Sequence, residues 1–127
     1  MRAQLVNVRN TTRTRVPHVP FESIARKILG PRYELSRVTC SDARALSLNR
    51  KHRQKNYAAN VLSFSLTKHD GEIFLNISAA RREAKRYEES LGARLTFLFI
   101  HACLHLRGER HGAKMERLEQ KMQKRFA

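Results

Sequence analysis

The segment from Arg94 to Leu106 constrains the fold more than any other part of the chain. It is mostly apolar and long enough to form a buried helix, and Gly108 ends that helix. A chain of 127 residues, 41% of them hydrophobic, can bury one modest core. We therefore expect a single domain, residues 1–127, in which this helix lies against a sheet. The longest apolar run, Leu95 to Ile100, is far shorter than the about 20 residues that a transmembrane helix needs.

Hydrophobic periodicity predicts an α+β domain, with a mixed sheet of about four strands packed against about five helices. Strands are predicted at residues 5–8, 33–40, 61–66 and 71–76, and helices at 20–29, 41–48, 78–91, 94–106 and 113–126. The two strands within 61–76 are expected to form a hairpin. Residues 49–60 lack a clear period and are predicted to form a loop. Ser41 and Ser78 are the expected N-caps of their helices, and Gly92 is expected to end the helix at 78–91.

Three histidines follow one another closely in the segment HACLHLRGERH, which runs from His101 to His111. A step of four residues returns to within about 40° of the same helix face, so His101 and His105 can aim at one point. Gly108 can adopt a left-handed conformation that ends the helix, which lets the chain fold His111 back toward that point. Three imidazoles with an open fourth position are typical of a catalytic zinc site. The pattern therefore predicts one Zn²⁺ ion per chain, on a buried helix and the turn after it.

Two other interpretations of this segment stay open. A single histidine in an apolar helix is most often a packed or hydrogen-bonded residue, and three imidazoles also accept nickel, copper or iron. The spacing matches the layout of metzincin peptidases, but Ala102 stands where that layout has a glutamate general base. A zinc peptidase without this carboxylate lacks its water activator, so the peptidase interpretation is less favoured.

The charge balance predicts a polyanionic partner. The chain carries 26 Lys and Arg residues against 11 Asp and Glu residues, a net charge of +15. We expect contacts to the phosphates of such a partner from a basic run in the first half of the chain. This run consists of Arg44, Arg50, Lys51, Arg53 and Lys55. The basic residues of the predicted helix at 78–91 are interspersed with glutamates, so that helix is expected to present an ordinary solvated face.

Cysteine usage and the N-terminal segment both favour the cytosol. Cys40 and Cys103 are too few for a disulfide scaffold and are expected to be reduced and packed. No apolar stretch of signal-peptide length follows Arg2, so the chain is expected to remain cytoplasmic and free of the membrane.

Two segments resemble the motifs of one known family, the YbeY endoribonucleases or ribosomal-RNA maturation factors. HACLHLRGERH is similar to the family signature His-Gly-x-Leu-His-Leu-x-Gly-Tyr-Asp-His, with Glu109 and Arg110 in place of the Tyr-Asp pair. LNRKHRQKNYAANVLSFS, residues 48–65, aligns without a gap with Leu-Asn-x-x-Tyr-Arg-x-x-Asp-x-x-Thr-Asp/Asn-Val-Leu-Ser-Phe-Pro. Arg53 occupies the position of the family's functional arginine.

This resemblance implies a small cytosolic metal-dependent RNA hydrolase with a three-layer α+β fold. It links the chain to maturation of the 3′ end of small-subunit ribosomal RNA and to ribosome quality control. The catalytic residues it implies are His101, His105 and His111 as metal ligands and Arg53 as the group that stabilises charge on the phosphate. Single-stranded RNA is the expected substrate, and the small ribosomal subunit is the expected partner.

Glu109 and Arg110 stand where the family signature has Tyr-Asp, and this difference supports a second hypothesis. Glu109 and Arg110 leave the acid for the leaving group unassigned, so turnover is expected to be slow. The chain could instead be a ribosome-associated RNA-binding module whose metal is structural and whose activity is weak.

Overall fold

The protein is described by a computed structural model that covers residues 4–127, with side chains from residue 7 onward. The strands are β1 (Gln4–Asn10), β2 (Glu34–Cys40), β3 (Val61–Thr67) and β4 (Asp70–Asn76). The helices are α1 (Phe21–Leu29), α2 (Asp42–Arg53), α3 (Ile77–Arg86), α4 (Leu91–Arg107) and α5 (Ala113–Phe126). The predicted α+β architecture is confirmed.

The four strands form one mixed sheet in the order β1-β2-β4-β3. β1 and β4 both run parallel to β2, while β3 runs antiparallel to β4 as the second arm of the predicted hairpin. Side chains of β4 alternate between the two faces of the sheet, and this alternation separates the core into two parts. Ile73 and Leu75 belong to the larger hydrophobic cluster, whereas Phe74 belongs to a smaller one beside α2.

Helix α4 is the centre of the larger cluster and lies against the sheet, as its apolar sequence predicts. It contacts α1, α3, α5, β3 and β4. Its side chains at Phe99, Ile100 and Leu104 are fully buried, and the Phe99 ring meets the Phe21 ring edge to face at 4.9 Å. Helix α2 covers the other face of the sheet, so the molecule has three layers. No helix in the described part of the chain is long and apolar enough to cross a membrane.

Two predicted helix boundaries are wrong, and both errors have local causes. Helix α2 continues five residues beyond Leu48, because the buried Asn49 side chain holds the following loop and Gln54 ends the helix in a left-handed conformation. Helix α3 ends at Arg86, and Glu88 turns the chain with a φ of 54°.

The expected N-cap of α3 and the expected role of Gly92 as the end of that helix are wrong as well. The N-cap of α3 is Asn76, whose side chain accepts a hydrogen bond from the Ala79 N–H, and Ser78 lies inside the helix. Ser90 caps α4 in the same way through the Ala93 N–H, so Gly92 falls in the first turn of α4 and ends nothing. Both cysteines are buried with free thiols, in agreement with their predicted packing.

Candidate metal centre

The three predicted histidines converge at the C-terminal end of α4. His101 and His105 lie one helical turn apart, and their Nε2 atoms are 3.1 Å from each other. His111 approaches from the segment after α4, with its ring centroid 4.7 Å from that of His105 and 5.3 Å from that of His101. One ligand atom from each histidine lies within 4.8 Å of the other two, so the cluster could hold a metal ion.

The turn that returns His111 to the site depends on the backbone of Gly108. This residue has a φ of 107° and a ψ of 5°, in the left-handed region that glycine adopts without steric cost. Its N–H donates to the His105 carbonyl at 3.0 Å, and the Glu109 N–H donates to the Leu104 carbonyl at 3.0 Å. A Cβ atom at residue 108 would have no heavy atom within 4 Å. The requirement for glycine is therefore conformational, as the sequence predicts.

Hydrogen bonds at the Nδ1 atoms of His101 and His105 set the orientation of the two imidazole rings on α4. The Nδ1 atom of His101 lies 2.5 Å from Oε2 of Glu119, and the Nδ1 atom of His105 lies 3.1 Å from the carbonyl oxygen of Glu109. With acceptors at both Nδ1 positions, the proton of each neutral ring sits on Nδ1 and the lone pair sits on Nε2. Both Nε2 lone pairs then face the same point, the arrangement that a metal ligand pair requires.

The electrostatics of the site also suit a divalent ion. Burial lowers the pKa of His105, and the neighbouring His101 lowers it further; both effects favour the neutral imidazole that a metal ligand requires. Two Nε2 lone pairs at 3.1 Å repel each other unless a proton or a cation lies between them. The donor set therefore fits a transition metal ion bound by three imidazoles, with a coordination position left for water or substrate.

Glu119 is the functional residue that sequence reasoning misses. It lies on α5 and is only 7% exposed, on the same helix face as the buried Met115 and Met122. The signal is present in the sequence, because a glutamate at this spacing falls within an apolar stripe and needs a buried partner. That partner, His101, is eighteen residues away and is brought close only by the packing of α5 on α4.

The histidine cluster opens into a cleft with a volume of about 800 Å³. Arg53, the last residue of α2, lines this cleft together with the three histidines. Its Nη2 atom donates to the Ser63 carbonyl at 2.7 Å, and its guanidinium lies 5.3 Å from the centre of the Phe64 ring. These contacts hold the guanidinium against β3 through one N–H donor and leave its other N–H donors available.

The predicted basic run divides between the cleft and the outer surface. Arg53 and Lys55 line the cleft, whereas Arg44, Arg50 and Lys51 are exposed on α2 outside it. Arg50 donates to the Asn56 side chain at 2.7 Å.

Helix α3 supplies a second cationic wall that the sequence does not predict. Its basic side chains are expected on an ordinary solvated face, but Arg82 and Arg86 line the cleft. The Arg82 guanidinium forms two hydrogen bonds to the Asp42 carboxylate, at 2.8 and 2.9 Å, so much of its charge is already compensated. Arg86 is exposed. The cleft therefore has positive side chains on both sides.

Glu109 and Arg110, which stand where the family signature has Tyr-Asp, do not have the surroundings of a catalytic acid. The Glu109 carboxylate lies 3.4 Å from the Arg107 guanidinium and 3.6 Å from the Lys114 ammonium. Its contribution to the metal centre comes from its main-chain carbonyl, which accepts from His105. Arg110 is exposed.

Fold and site together define a class of protein: a three-layer α+β domain with a cluster of three histidines that could hold a metal ion, at the end of its central helix and in a cleft with basic side chains. A family model described as endoribonuclease YbeY matches residues 6–127, nearly the whole chain. The chain belongs to that family.

Relatives of known sequence and structure agree with this assignment. Endoribonuclease YbeY of Mycoplasma capricolum is 35% identical over 61% of this chain and 54% of its own length. The protein of the same name from Wolinella succinogenes is 35% identical over 84% of this chain and 78% of its own. The chain thus spans about half the length of the first of these relatives. The solution structure of TM1509 from Thermotoga maritima has the same fold, with a TM-score of 0.65 at 18% identity, covering 93% of this chain and 86% of that one.

Proposed function

We propose that this chain is a metal-dependent endoribonuclease that hydrolyses phosphodiester bonds of single-stranded RNA. The observation that carries the proposal is the convergence of His101, His105 and His111 in one cleft with Arg53. Relatives that bear the name endoribonuclease support the reaction class. A flexible single strand can present its phosphodiester in line within such a cleft, whereas a stiff duplex cannot readily do so.

The three imidazoles hold the metal ion, for which zinc is our first choice. A divalent ion at such a site, when bound, supplies an acidified water and polarises a phosphoryl oxygen. Glu119 and the Glu109 carbonyl hold the rings of His101 and His105 in the ligating orientation. Rings that are already oriented need no rearrangement when substrate arrives.

Arg53 acts on the phosphate. In-line attack builds negative charge on the non-bridging oxygens, and a guanidinium remains charged and can donate two parallel N–H bonds to them. The hydrogen bond to the Ser63 carbonyl keeps Arg53 in the cleft before substrate binds. The ion pairs of Glu109 with Arg107 and Lys114 disfavour its carboxylate as the acid for the leaving group, and we therefore expect slow turnover.

An RNA cleavage assay tests the reaction. We expect chelator-sensitive cutting of a labelled single-stranded oligoribonucleotide, while a matched duplex and an unstructured peptide stay intact. His105→Ala should abolish cutting, and His69→Ala, an exposed histidine in the β3–β4 turn, should not. Equal cutting by His105→Ala and the unchanged protein would mean that a contaminating nuclease was being measured. Chelator-sensitive peptide cleavage would favour the zinc peptidase instead.

Arg53 is tested by separating binding from cleavage. Arg53→Ala should reduce the cleavage rate at least about tenfold while weakening RNA binding only slightly, because its partner is charge that develops in the transition state. Arg44→Ala removes an exposed cation of the same helix outside the cleft and serves as the control. Equal losses of binding and cleavage in Arg53→Ala would reduce Arg53 to an ordinary phosphate contact.

A second candidate function is favoured by Glu109 and Arg110, which differ from the family signature. In this second function, the chain is a ribosome-associated RNA-binding module whose metal stabilises the fold. It predicts metal-dependent stability and RNA binding without metal-dependent cleavage, so the same assay separates the two candidates.

We further propose small-subunit ribosomal RNA as the substrate and the cytoplasm as the place of action. Support comes from the resemblance of both sequence motifs to those of rRNA maturation factors. The test is cleavage of a precursor of that RNA, free and within isolated small subunits. If the protein cuts unrelated single strands but cuts neither the free precursor nor the precursor within small subunits, this substrate proposal is wrong.

A further inference from the structure

Tyr57 is an exposed aromatic residue that has no role in the proposed chemistry. It lies at the cleft into which the histidine cluster opens. Its side chain is 59% exposed, and it lines the same cleft as the three histidines and Arg53. It follows the end of α2, in a segment that hydrophobic periodicity leaves unexplained.

The main chain beneath this ring is held in place by a buried amide. The Asn49 side chain is 1% exposed, and its Nδ2 atom donates to the Tyr57 carbonyl at 2.9 Å. The Asn49 carbonyl in turn accepts from the Lys55 N–H at 3.1 Å. A buried residue of α2 thus fixes the loop that presents an exposed ring, so little backbone entropy is lost when a ligand covers that ring.

The surroundings of the ring suit a nucleotide. Lys55, Arg53 and Arg86 line the cleft and can contact phosphates on either side of a base. Among the described side chains, Tyr57 stacks on no second aromatic ring and beneath no guanidinium. Its faces therefore remain available for stacking, a contact that every base can make and that requires the base to be unpaired.

We infer that Tyr57 is the stacking platform for one unpaired base of the RNA strand that crosses the metal cleft, beside the phosphate to be cut. The inference rests on the proposed function for its substrate class. It adds a residue that selects single strands by the chemistry of the base rather than by the flexibility of the backbone. It also accounts for an aromatic side chain that remains exposed in a chain whose Phe21 and Phe99 are buried in the core.

Tyr87 provides a matched control within the same molecule. It is 57% exposed, nearly as much as Tyr57, but it lies outside the cleft lining. Guanidinium groups of Arg94 and Arg86 lie 4.7 and 5.4 Å from its ring centre. Its exposure is thus explained within the protein, without a ligand.

The experiment uses short single-stranded RNAs in which one base is 2-aminopurine, whose fluorescence falls when it stacks. The substituted position is moved along the strand, and the intact metal-loaded protein is added. We expect quenching concentrated at one position next to the cleavage site. Tyr57→Leu should remove that quenching and weaken binding by about tenfold. Tyr57→Phe should preserve both, and Tyr87→Leu should preserve the quenching.

An abasic strand gives an independent measurement. Replacing the stacked base by an abasic residue should weaken binding to the unchanged protein and leave binding to Tyr57→Leu unaltered. Equal quenching by the unchanged protein and Tyr57→Leu would overturn the inference. Quenching that depends on Tyr57 without any cleavage would retain the platform and refute the endoribonuclease, so the two failures are distinguishable.

Discussion

At the residue scale, the geometry of the histidine cluster depends on groups outside the three imidazoles. Glu119 and the Glu109 carbonyl each accept from the Nδ1 side of a histidine ring, and Gly108 supplies the turn that returns His111. Each of these three residues positions a histidine and is not itself one of the candidate metal ligands. Substituting them changes how well the site is organised while all three imidazoles remain.

Glu119→Gln should weaken metal binding by about 10- to 100-fold, because the amide is a poorer partner for the His101 Nδ1–H than the carboxylate. The measurement is competition for Zn²⁺ with a chromogenic chelator at constant pH. Glu116→Gln, an exposed glutamate on the same helix, is the control and should bind as the unchanged protein does. An equal affinity in both variants would show that Glu119 does not position His101.

Gly108→Ala should lower the free energy of unfolding by about 1–2 kcal/mol, the cost of holding an alanine in the left-handed region. It should also weaken metal binding, because the strained turn carries His111. Gly92→Ala is the matched control: Gly92 lies in the first turn of α4, and its nearest heavy-atom neighbours would be 3.8 and 3.9 Å from the new Cβ atom. Urea unfolding of both variants checks this, and equal effects would contradict it.

At the scale of elements, the side chain of Asn76, at the end of β4, connects three segments around the cleft. Asn76 closes β4 and caps α3, and its Nδ2 atom donates to Asp42 on α2 at 2.9 Å and to the Ala59 carbonyl at 3.1 Å. Asp42 also pairs with Arg82 of α3. Periodicity finds the helices but not these connections, because a polar side chain that joins two elements leaves no repeat in the sequence.

The Asp42 connection predicts a pH-dependent contribution to stability. Hydrogen bonds from Arg82, and then from Asn76, hold the pKa of the Asp42 carboxyl below its usual range. Because the pKa is lower in the folded protein than in the unfolded chain, the contribution is present above the unfolded pKa. It is lost as the pH falls through the folded pKa.

Asp42→Asn should therefore lower the free energy of unfolding at pH 7, by less than about 1 kcal/mol because the ion pair is exposed. The difference between the two proteins should shrink in acid. Urea unfolding at pH 7 and at successively lower pH values measures it. A difference that stays constant as the pH falls would contradict this account.

At the scale of the whole molecule, the charge of +15 predicts long-range attraction of RNA, and the cleft is the proposed path of the strand. Binding of a single strand should weaken with salt by about 0.7 logarithmic units of affinity per logarithmic unit of salt for each phosphate contacted. Arg86→Gln should reduce this slope by about 0.7, whereas Arg125→Gln, beside the Phe126 ring at the C-terminal end, should leave it unchanged. Fluorescence anisotropy across a salt series measures both slopes. Equal slopes in all three proteins would remove Arg86 from the path of the RNA.

The sequence by itself determined the features that depend on short spacing. The helical repeat places His101 and His105 on one face, Gly108 permits the return of His111, and the long apolar segment requires a central helix. Only the tertiary structure decided which distant residues meet. The packing of α5 brings Glu119 to His101, and the ends of α2 and α3 place Arg53 and Arg86 at one cleft. The physical reason is that repeats in a sequence report which face of an element is buried, whereas contacts between elements depend on how those faces pack.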